Sequence, residues 1–520
     1  MIFKLLGYLF KLHVIIFKLF KFMGLYMLIV GFILGFVLGS LVGYMNFSYD
    51  SQWIATWIGW ILGAISSIYI FIRNIVRLVK GDKSIGIFNS NNPQKNSIRP
   101  KVNKNLRMVS PKGVVFGKYG SAYIAKPEDK DGHILIIGGA GSGKSSCIAI
   151  PSLLSWRDRV FAIDIKGELS KKAPRPNMKI FNPMDTTSFG YDPYELLKCS
   201  ENRVQDAKEI SIALVPIPEN TKDPFWIQSA QNFLTACILH FSLKCGFIDT
   251  IKAIQGTPAI KIIEEISQSE DSNARLFINQ FVGLDQKVLQ SIFTELSNKI
   301  MLFATDNRIC NALSKQCNIT PKDLDNKQDI YIVIPEDKLE QWKPLLTLIT
   351  NQFLKHFERR PEDTSTPVLF LLDEFARLGK IETVINGLAT LRSRKITIAI
   401  LIQSLAQLDA IYGRPQRQII TDNCSYKAIL NATDADTQDY FSRLVGTYDK
   451  KKETNSNNFD QYTGLGKGRG VSSTTQESRI IKPEEFAYLK DIVLITPFGF
   501  NRINKSPYYK DRLMKMLAQV

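Results

Sequence analysis

The chain of 520 residues is long enough for about three domains of ordinary size and for a large hydrophobic core. Its formal net charge of +17 favours contact with nucleic acid or an anionic membrane face, but carries no information about the fold. The seven cysteines include no Cys-x-x-Cys pair and no zinc-ligand spacing, a scattered set that fits reduced, structural thiols in a cytoplasmic body. The sequence shows no internal repeat at solenoid period and no cleavable signal.

The first 72 residues are predicted to anchor the chain in a membrane. Residues 1–21 are apolar with lysines on one helical face, so they either lie in the membrane interface or hold the positive end of the first span. Residues 22–45 and 53–72 are each uncharged and long enough to cross a bilayer. Basic residues flank both spans, whereas the loop between them carries only Asp50, so the N-terminus and the large C-terminal body are both expected to be cytoplasmic.

The remaining chain is predicted to contain an interrupted α/β domain. Residues 73–130 are strongly basic and predict a linker beside anionic membrane lipid, leading into a nucleotide-binding domain. Buried apolar strands alternate with helices in 131–199 and 318–520, which predicts a mostly parallel sheet. Residues 200–317 are helical in period and predict an all-α insertion. Residues 450–477 contain few apolar side chains and predict a loose loop.

A glycine-rich segment between a predicted strand and a predicted helix indicates nucleotide binding. Gly138, Gly143, Lys144 and Ser145 fill the pattern G-x-x-x-x-G-K-[ST]. In such a loop backbone N–H groups surround phosphate oxygens, the lysine reaches the β- and γ-phosphates, and the hydroxyl ligates Mg²⁺. The residues predicted to bind ATP are Gly138, Gly139, Ala140, Gly141, Ser142, Gly143, Lys144, Ser145 and Ser146.

Two acidic residues follow a later apolar strand and supply the second half of an ATP-hydrolysing site. Asp373 and Glu374 come directly after the run Val368–Leu372. Asp373 is predicted to hold Mg²⁺ together with Ser145, directly or through water. Glu374 is predicted to accept a proton from the attacking water.

Polar residues on both sides of the next strand complete the predicted catalytic set. Gln403 ends that strand, where its amide could sense the γ-phosphate or orient water. Arg392 and Arg394 precede it, and either could act as an arginine finger on the nucleotide of a neighbouring subunit. Together with Lys144 and Glu374, these three residues are the candidates for catalysis.

These motifs resemble, in order and spacing, those of the TraG-type coupling proteins of type IV secretion, the membrane ATPases of conjugation and effector export. The segments that carry the resemblance are Gly138–Ser145, Asp164–Glu168, Phe181–Pro183, Asp223–Trp226, Leu371–Ala376, Gln403–Gln407 and Pro507–Asp511. The resemblance implies a RecA-like P-loop domain interrupted by an all-α domain, and a homo-hexamer at the bacterial inner membrane. It also implies ATP and Mg²⁺ as cofactors, with channel components and DNA or effector protein as partners. Ile165 departs from the family, which often has proline there.

Two other functions remain open for a membrane-anchored P-loop protein. A DNA translocase of the FtsK type would share the motor, but proteins of that group usually carry more than two spans, a long linker and a C-terminal DNA-reading winged helix, and the sequence indicates none of these. A non-hydrolysing membrane receptor would use nucleotide only to rigidify an assembly, and the presence of both Asp373 and Glu374 disfavours it. An ABC-type ATPase is disfavoured because the chain has no LSGGQ-like signature.

Overall fold

The structure, a computed structural model, describes most of the chain after the predicted anchor. The described residues are 104–518 without 199, 219–220, 363–365 and 460–465, together with Trp57 and Ile61, which are helical. The predicted segments 1–21, 22–45 and 53–72 therefore lie outside the described residues, those two positions excepted, as does the first part of the linker. Within the described part of the chain, no helix has the length and hydropathy that crossing a bilayer requires.

A twelve-stranded sheet runs through the described residues of the unit Pro100–Val520. Its strands are β1 (Arg107–Met108), β2 (Val114–Tyr119), β3 (Ala122–Lys126), β4 (Ile134–Ile137), β5 (Arg159–Asp164), β6 (Met178–Phe181), β7 (Asp329–Val333), β8 (Val368–Leu372), β9 (Ile396–Ile402), β10 (Tyr426–Ile429), β13 (Asp491–Thr496) and β14 (Gly499–Asn504). A separate hairpin pairs β11 (Thr447–Phe459) with β12 (Gly466–Arg479).

The strand order is β1-β3-β2-β14-β13-β10-β4-β9-β8-β5-β7-β6. The seven strands from β10 to β6 run parallel to their neighbours, whereas β13, β14, β2, β3 and β1 extend the sheet with antiparallel pairing. This confirms the predicted α/β fold with a mostly parallel sheet, and it fits a RecA-like P-loop domain. Every residue of β4, β8 and β9 is buried, as expected for strands that are covered on both faces.

Helices connect the strands. They are α1 (Ile150–Ser155), α2 (Glu168–Lys172), α3 (Glu195–Lys198), α4 (Arg203–Leu214), α5 (Phe225–Phe241), α6 (Phe247–Gly256), α7 (Ala259–Ser267), α8 (Ser272–Asn279), α9 (Gln286–Thr305), α10 (Asn307–Leu313), α11 (Pro321–Asp325), α12 (Lys343–Glu358), α13 (Glu382–Thr390), α14 (Leu405–Asn423), α15 (Ala435–Val445) and α16 (Arg512–Leu517).

The segment 200–317 contains α4 to α10 and no strand among its described residues. The central helix of this segment, α5, is buried along most of its length. Its Phe233 belongs to the same hydrophobic cluster as Phe161 and Leu372 of the sheet. The helices are therefore continuous with the sheet core, and the domain boundaries themselves stay a prediction.

The prediction of a loose loop over 450–477 is wrong for the described residues of that segment, 450–459 and 466–477. They lie in the hairpin of β11 and β12, in which Thr447 faces Arg479 and Phe459 faces Gly466. A two-stranded ribbon is held by its backbone ladder, which needs no apolar side chain. The scarcity of apolar residues therefore could not distinguish this ribbon from a loop.

Candidate functional site

The predicted site residues converge at the carboxyl edge of the parallel strands. Strand β4 lies between β10 and β9, and β8 lies on the other side of β9. The glycine loop follows β4, the pair Asp373 and Glu374 follows β8, and Gln403 follows β9. Because parallel strands present their carboxyl ends at one edge of a sheet, these three loops lie side by side, which is where open α/β sheets bind ligands.

The glycine loop has a backbone that side chains would disturb. Gly141 and Gly143 adopt φ values of 71° and 100°, a left-handed region that L-residues rarely populate. A Cβ atom on Gly138 would lie 2.3 Å from Ser142 Oγ, so a side chain there would force Ser142 to move. After Gly143 the chain enters a π-helical turn, Lys144–Ala149, which continues directly into α1. The strand, loop and helix are therefore arranged as the sequence predicts.

Two polar groups of the loop are suited to an anion. The Ser142 hydroxyl is buried and has no hydrogen-bond partner among the described residues, so a phosphate oxygen would satisfy it. Lys144 is 7% exposed, and its ammonium donates to the carbonyl oxygens of Gly138 and Gly139. Burial lowers the pKa of Lys144, while Glu374 and Asp373 act in the opposite direction. The loop therefore fits a phosphate group by its own geometry.

The Asp373 carboxyl is in a position that favours a nearby cation. It is 7% exposed, and burial, followed by the charge of Glu374, raises its pKa to about 7. Among the described residues no group of three or more His, Cys, Asp or Glu side chains could hold a metal ion. Asp373 and Ser145 would therefore hold Mg²⁺ together with water and phosphate oxygens, the mixed coordination that Mg²⁺ usually has.

Glu374 and Gln403 are in direct contact. The Gln403 side-chain amide donates from Nε2 to Glu374 Oε2 over 3.2 Å. The Gln403 backbone N–H in turn donates to Gln407 Oε1 over 3.1 Å, and the Glu374 N–H donates to Asp373 Oδ1 over 3.0 Å. Glu374 has a φ of 48°, an uncommon value for a residue with a side chain, which these contacts hold in place.

The two candidate arginines lie at the opposite edge of the sheet. They form a short 3₁₀ turn before β9, whereas Gln403 follows β9, so about 23 Å of strand separates them from the glycine loop of their own subunit. The Arg394 guanidinium donates to the carbonyl oxygens of Arg360 and Thr390, each over 2.8 Å. Arg392 is exposed. From these positions the arginines could reach only the nucleotide of a neighbouring subunit. A role as arginine finger there stays a prediction.

Sequence reasoning assigned no role in the site to two residues that shape it. Asn431, two residues after β10, accepts at its Oδ1 a hydrogen bond of 2.7 Å from the Gly139 backbone N–H. Asp164 is buried, and its carboxylate accepts hydrogen bonds from the Glu168 and Ser170 backbone N–H groups. Asp164 thus fixes the loop that follows β5, next to Asp373.

Comparison with known proteins points to one family. The family described as "Type IV secretory system Conjugative DNA transfer" matches residues 90–520. Protein VirD4 of Rhizobium radiobacter is 27% identical over 434 residues, covering 78% of this chain and 62% of that protein. The conjugal transfer protein TraG of the same organism is 24% identical over 379 residues, covering 68% of this chain and 58% of that protein. The chain thus spans about three fifths of the length of these relatives.

Solved structures show the same fold. The plasmid coupling protein TrwB in complex with the ATP analogue ADPNP matches with a TM-score of 0.60 at 18% identity, over 80% of this chain and 91% of that one. TrwB in complex with ADP and Mg²⁺ matches with a TM-score of 0.56 over the same shares. At this identity the likeness establishes the fold, and the site is argued from its own residues.

Proposed function

Because the chain belongs to the type IV secretory system conjugative DNA transfer family, we propose that it is a P-loop ATPase that couples ATP hydrolysis to delivery of a substrate into a type IV secretion channel. The substrate is DNA, effector protein or both. The protein is anchored in the bacterial inner membrane by two N-terminal spans, with both its N-terminus and its large body in the cytoplasm. It works as a homo-hexamer with the channel components as partners.

One observation carries this proposal. The glycine loop after β4, the carboxylate pair after β8 and the amide of Gln403 after β9 meet at one edge of the sheet. A protein that only binds nucleotide needs the loop, whereas hydrolysis also needs a base beside the terminal phosphate. The hydrogen bond from Gln403 to Glu374 orients such a base.

Each side chain of the site has a separate task in hydrolysis. The loop amides, Ser142 and Lys144 bind the phosphates, and Lys144 neutralises charge on the β- and γ-phosphoryl oxygens. Ser145 and Asp373 would hold Mg²⁺, which would supply further charge neutralisation.

Glu374 then accepts the proton of a water molecule whose oxygen bonds to the γ-phosphorus. The bond to the β–γ bridging oxygen breaks with its electron pair remaining on ADP, and phosphate is released. Gln403 holds the Glu374 carboxylate towards that water.

This function can be tested by measuring phosphate release from the full 520-residue chain in detergent. With ATP and Mg²⁺ we expect steady release, which Lys144→Ala should reduce by about a hundredfold because the phosphate contacts are lost. Lys172→Ala is the matched control, since Lys172 is an exposed lysine at the end of α2. Binding of ATP without any Mg²⁺-dependent release from the wild-type chain would favour the non-hydrolysing receptor instead.

A further inference from the structure

A second lysine lies at the same edge of the sheet as the proposed ATP site. Lys166 belongs to the loop between β5 and α2. Strand β5 is the direct neighbour of β8, and Ile163 pairs with Leu372. Asp164 and Asp373 therefore lie side by side at the carboxyl ends of β5 and β8. Lys166 follows Asp164 by two residues and so lies beyond the carboxyl ends of the strands, where the nucleotide is expected. Adjacent strands are about 4.8 Å apart, a distance that a lysine side chain spans.

The backbone of this loop is held firmly. Asp164 Oδ1 accepts the Glu168 N–H over 3.0 Å, and Oδ2 accepts the Ser170 N–H and Oγ over 2.8 Å each. Gly167 adopts a φ of 61°, which turns the chain sharply directly after Lys166. The position of the Lys166 Cα is thus fixed, while its side chain is exposed.

Lys166 has no hydrogen-bond or ion-pair partner within the residues that the structure describes. The acidic residue near it, Glu336, is already paired with Arg377. The hydrogen bond and charge of Arg377 are the main causes that lower the pKa of Glu336, and the nearby charge of Lys166 adds to them. An unpaired cation thus lies at the edge of the sheet that also carries Asp373 and the glycine loop.

We propose that the Lys166 ammonium contacts the terminal phosphate of the bound nucleoside triphosphate and acts as a further catalytic residue of the site. This inference rests on the proposed ATPase function. Lys144 reaches the phosphates from the glycine loop, whereas Lys166 approaches from the neighbouring side of Asp373. Two lysines on different loops would neutralise the charge that spreads over the γ-phosphoryl oxygens as the bond to ADP breaks.

The predicted contact distinguishes triphosphate from diphosphate. In the full chain, Lys166→Ala should weaken binding of the non-hydrolysable analogue ADPNP by about tenfold, the usual scale of one charged hydrogen bond. Binding of ADP, which lacks the third phosphate, should be unchanged. The turnover number for ATP should fall by about ten- to a hundredfold, and Lys166→Arg, which keeps the charge, should recover part of it. Because Lys166 is exposed, its replacement leaves the core intact.

Lys171→Ala is the matched control, since it removes the same charge from an exposed position on α2. It should change neither affinity nor turnover. Equal ADPNP affinity and turnover for Lys166→Ala and wild type would overturn the assignment of Lys166 and leave the ATPase function standing. Equal weakening of ADPNP and ADP binding would also overturn it, because the contact would not be to the terminal phosphate. A wild-type chain that releases no phosphate would instead refute the ATPase function.

Discussion

Two adjacent carboxylates of the proposed site have different surroundings and therefore different tasks. Asp373 is buried, and burial raises its pKa, so a nearby cation would stabilise its negative charge. Glu374 is half-buried, in the backbone conformation that points it to Gln403. The proposed metal ligand and the proposed base are thus consecutive residues that differ in their exposure to solvent.

Replacing Glu374 with glutamine should separate binding from chemistry. Glutamine keeps the size and polarity of the side chain but cannot accept a proton. We expect Glu374→Gln to bind ATP normally while its turnover number falls by about a hundredfold or more, the scale of a lost general base. Glu382→Gln, an exposed acid at the start of α13, is the control. Wild-type turnover in Glu374→Gln would show that another group activates the water, and Gln403 would be tested next.

Lys126 gives a prediction about stability that does not involve the ATP site. This lysine is fully buried at the end of β3 and donates to Thr397 Oγ1 over 3.0 Å. Burial is the main cause that lowers its pKa to about 7, and the nearby charges of Asp131, Asp129, Lys395 and Glu128 modify that value. The unfolded chain, with an ordinary lysine pKa near 10.4, keeps this proton up to a higher pH than the folded chain does.

The sign of the pH dependence follows from this difference. Between pH 7 and about 10 the unfolded state binds more protons, so this group makes the fold more stable as pH rises, by about 1.4 kcal/mol per pH unit. Lys126→Met removes the titration. We therefore expect its melting temperature to exceed that of the wild type at pH 7, with an advantage that shrinks towards pH 10. A difference that stays constant over this range in thermal unfolding would contradict the prediction.

Helix α14 contacts both Gln403 and the segment that follows Glu374. Its Gln407 accepts a hydrogen bond from Gln403, and the ring of Tyr412 stacks on that of Phe375, the residue after Glu374, at 5.6 Å. The Tyr412 hydroxyl accepts from the Ile381 N–H over 3.1 Å and donates to the Gly379 carbonyl over 3.2 Å. One helix therefore fixes both partners of the Gln403–Glu374 contact.

Tyr412→Phe should show what this support contributes. The stack on Phe375 remains, but the buried N–H of Ile381 and carbonyl of Gly379 lose their partner. We expect the free energy of unfolding to fall by about 1–3 kcal/mol, the range for an unsatisfied buried group, and turnover to fall while ATP affinity is kept. Tyr488→Phe, at an 85% exposed position, is the control. Unchanged turnover in a measurably destabilised Tyr412→Phe would limit the role of α14 to stability.

Elements that are marked by a pattern within one short segment of the chain can be predicted from the sequence. Strands such as β4 and β9 are continuous apolar runs, so they can be predicted. The glycine loop, Asp373, Glu374 and Gln403 directly follow such runs, so their place at the ends of strands can be predicted as well. Strand β14, in contrast, alternates exposed and buried residues, and the ribbon of β11 and β12 is polar. Asn431 contacts Gly139 only because β10 lies beside β4, a neighbourhood that chain order does not show.

Placement of Arg392 at the far edge of the sheet predicts that the complete ATPase is an assembly. Arg392 is exposed, whereas Arg394 is bound to carbonyl groups of its own subunit, so Arg392 is the better candidate for a finger. Arg392→Ala should retain ATP binding and lose turnover by about three orders of magnitude.

Mixing subunits tests action between them. Lys144→Ala subunits carry an intact Arg392, so adding them to Arg392→Ala subunits should restore part of the phosphate release, and specific activity of the wild type should rise with protein concentration. Arg394→Ala mixed in the same way is the comparison. Absence of any recovery, or a specific activity independent of concentration, would show that hydrolysis needs no neighbouring arginine.

The most direct test of the whole account is substrate transfer from living cells. In a bacterium whose own copy of the gene is deleted, wild type, Lys144→Ala and Lys172→Ala are expressed to equal levels. The number of recipients that acquire the transferred DNA, or the effector protein delivered, is then counted per donor. Coupling of hydrolysis to transfer predicts that wild type and Lys172→Ala restore transfer, and that Lys144→Ala stays at the level of the deletion strain. Full transfer by Lys144→Ala would contradict the account, because the ATP site could then not power the delivery.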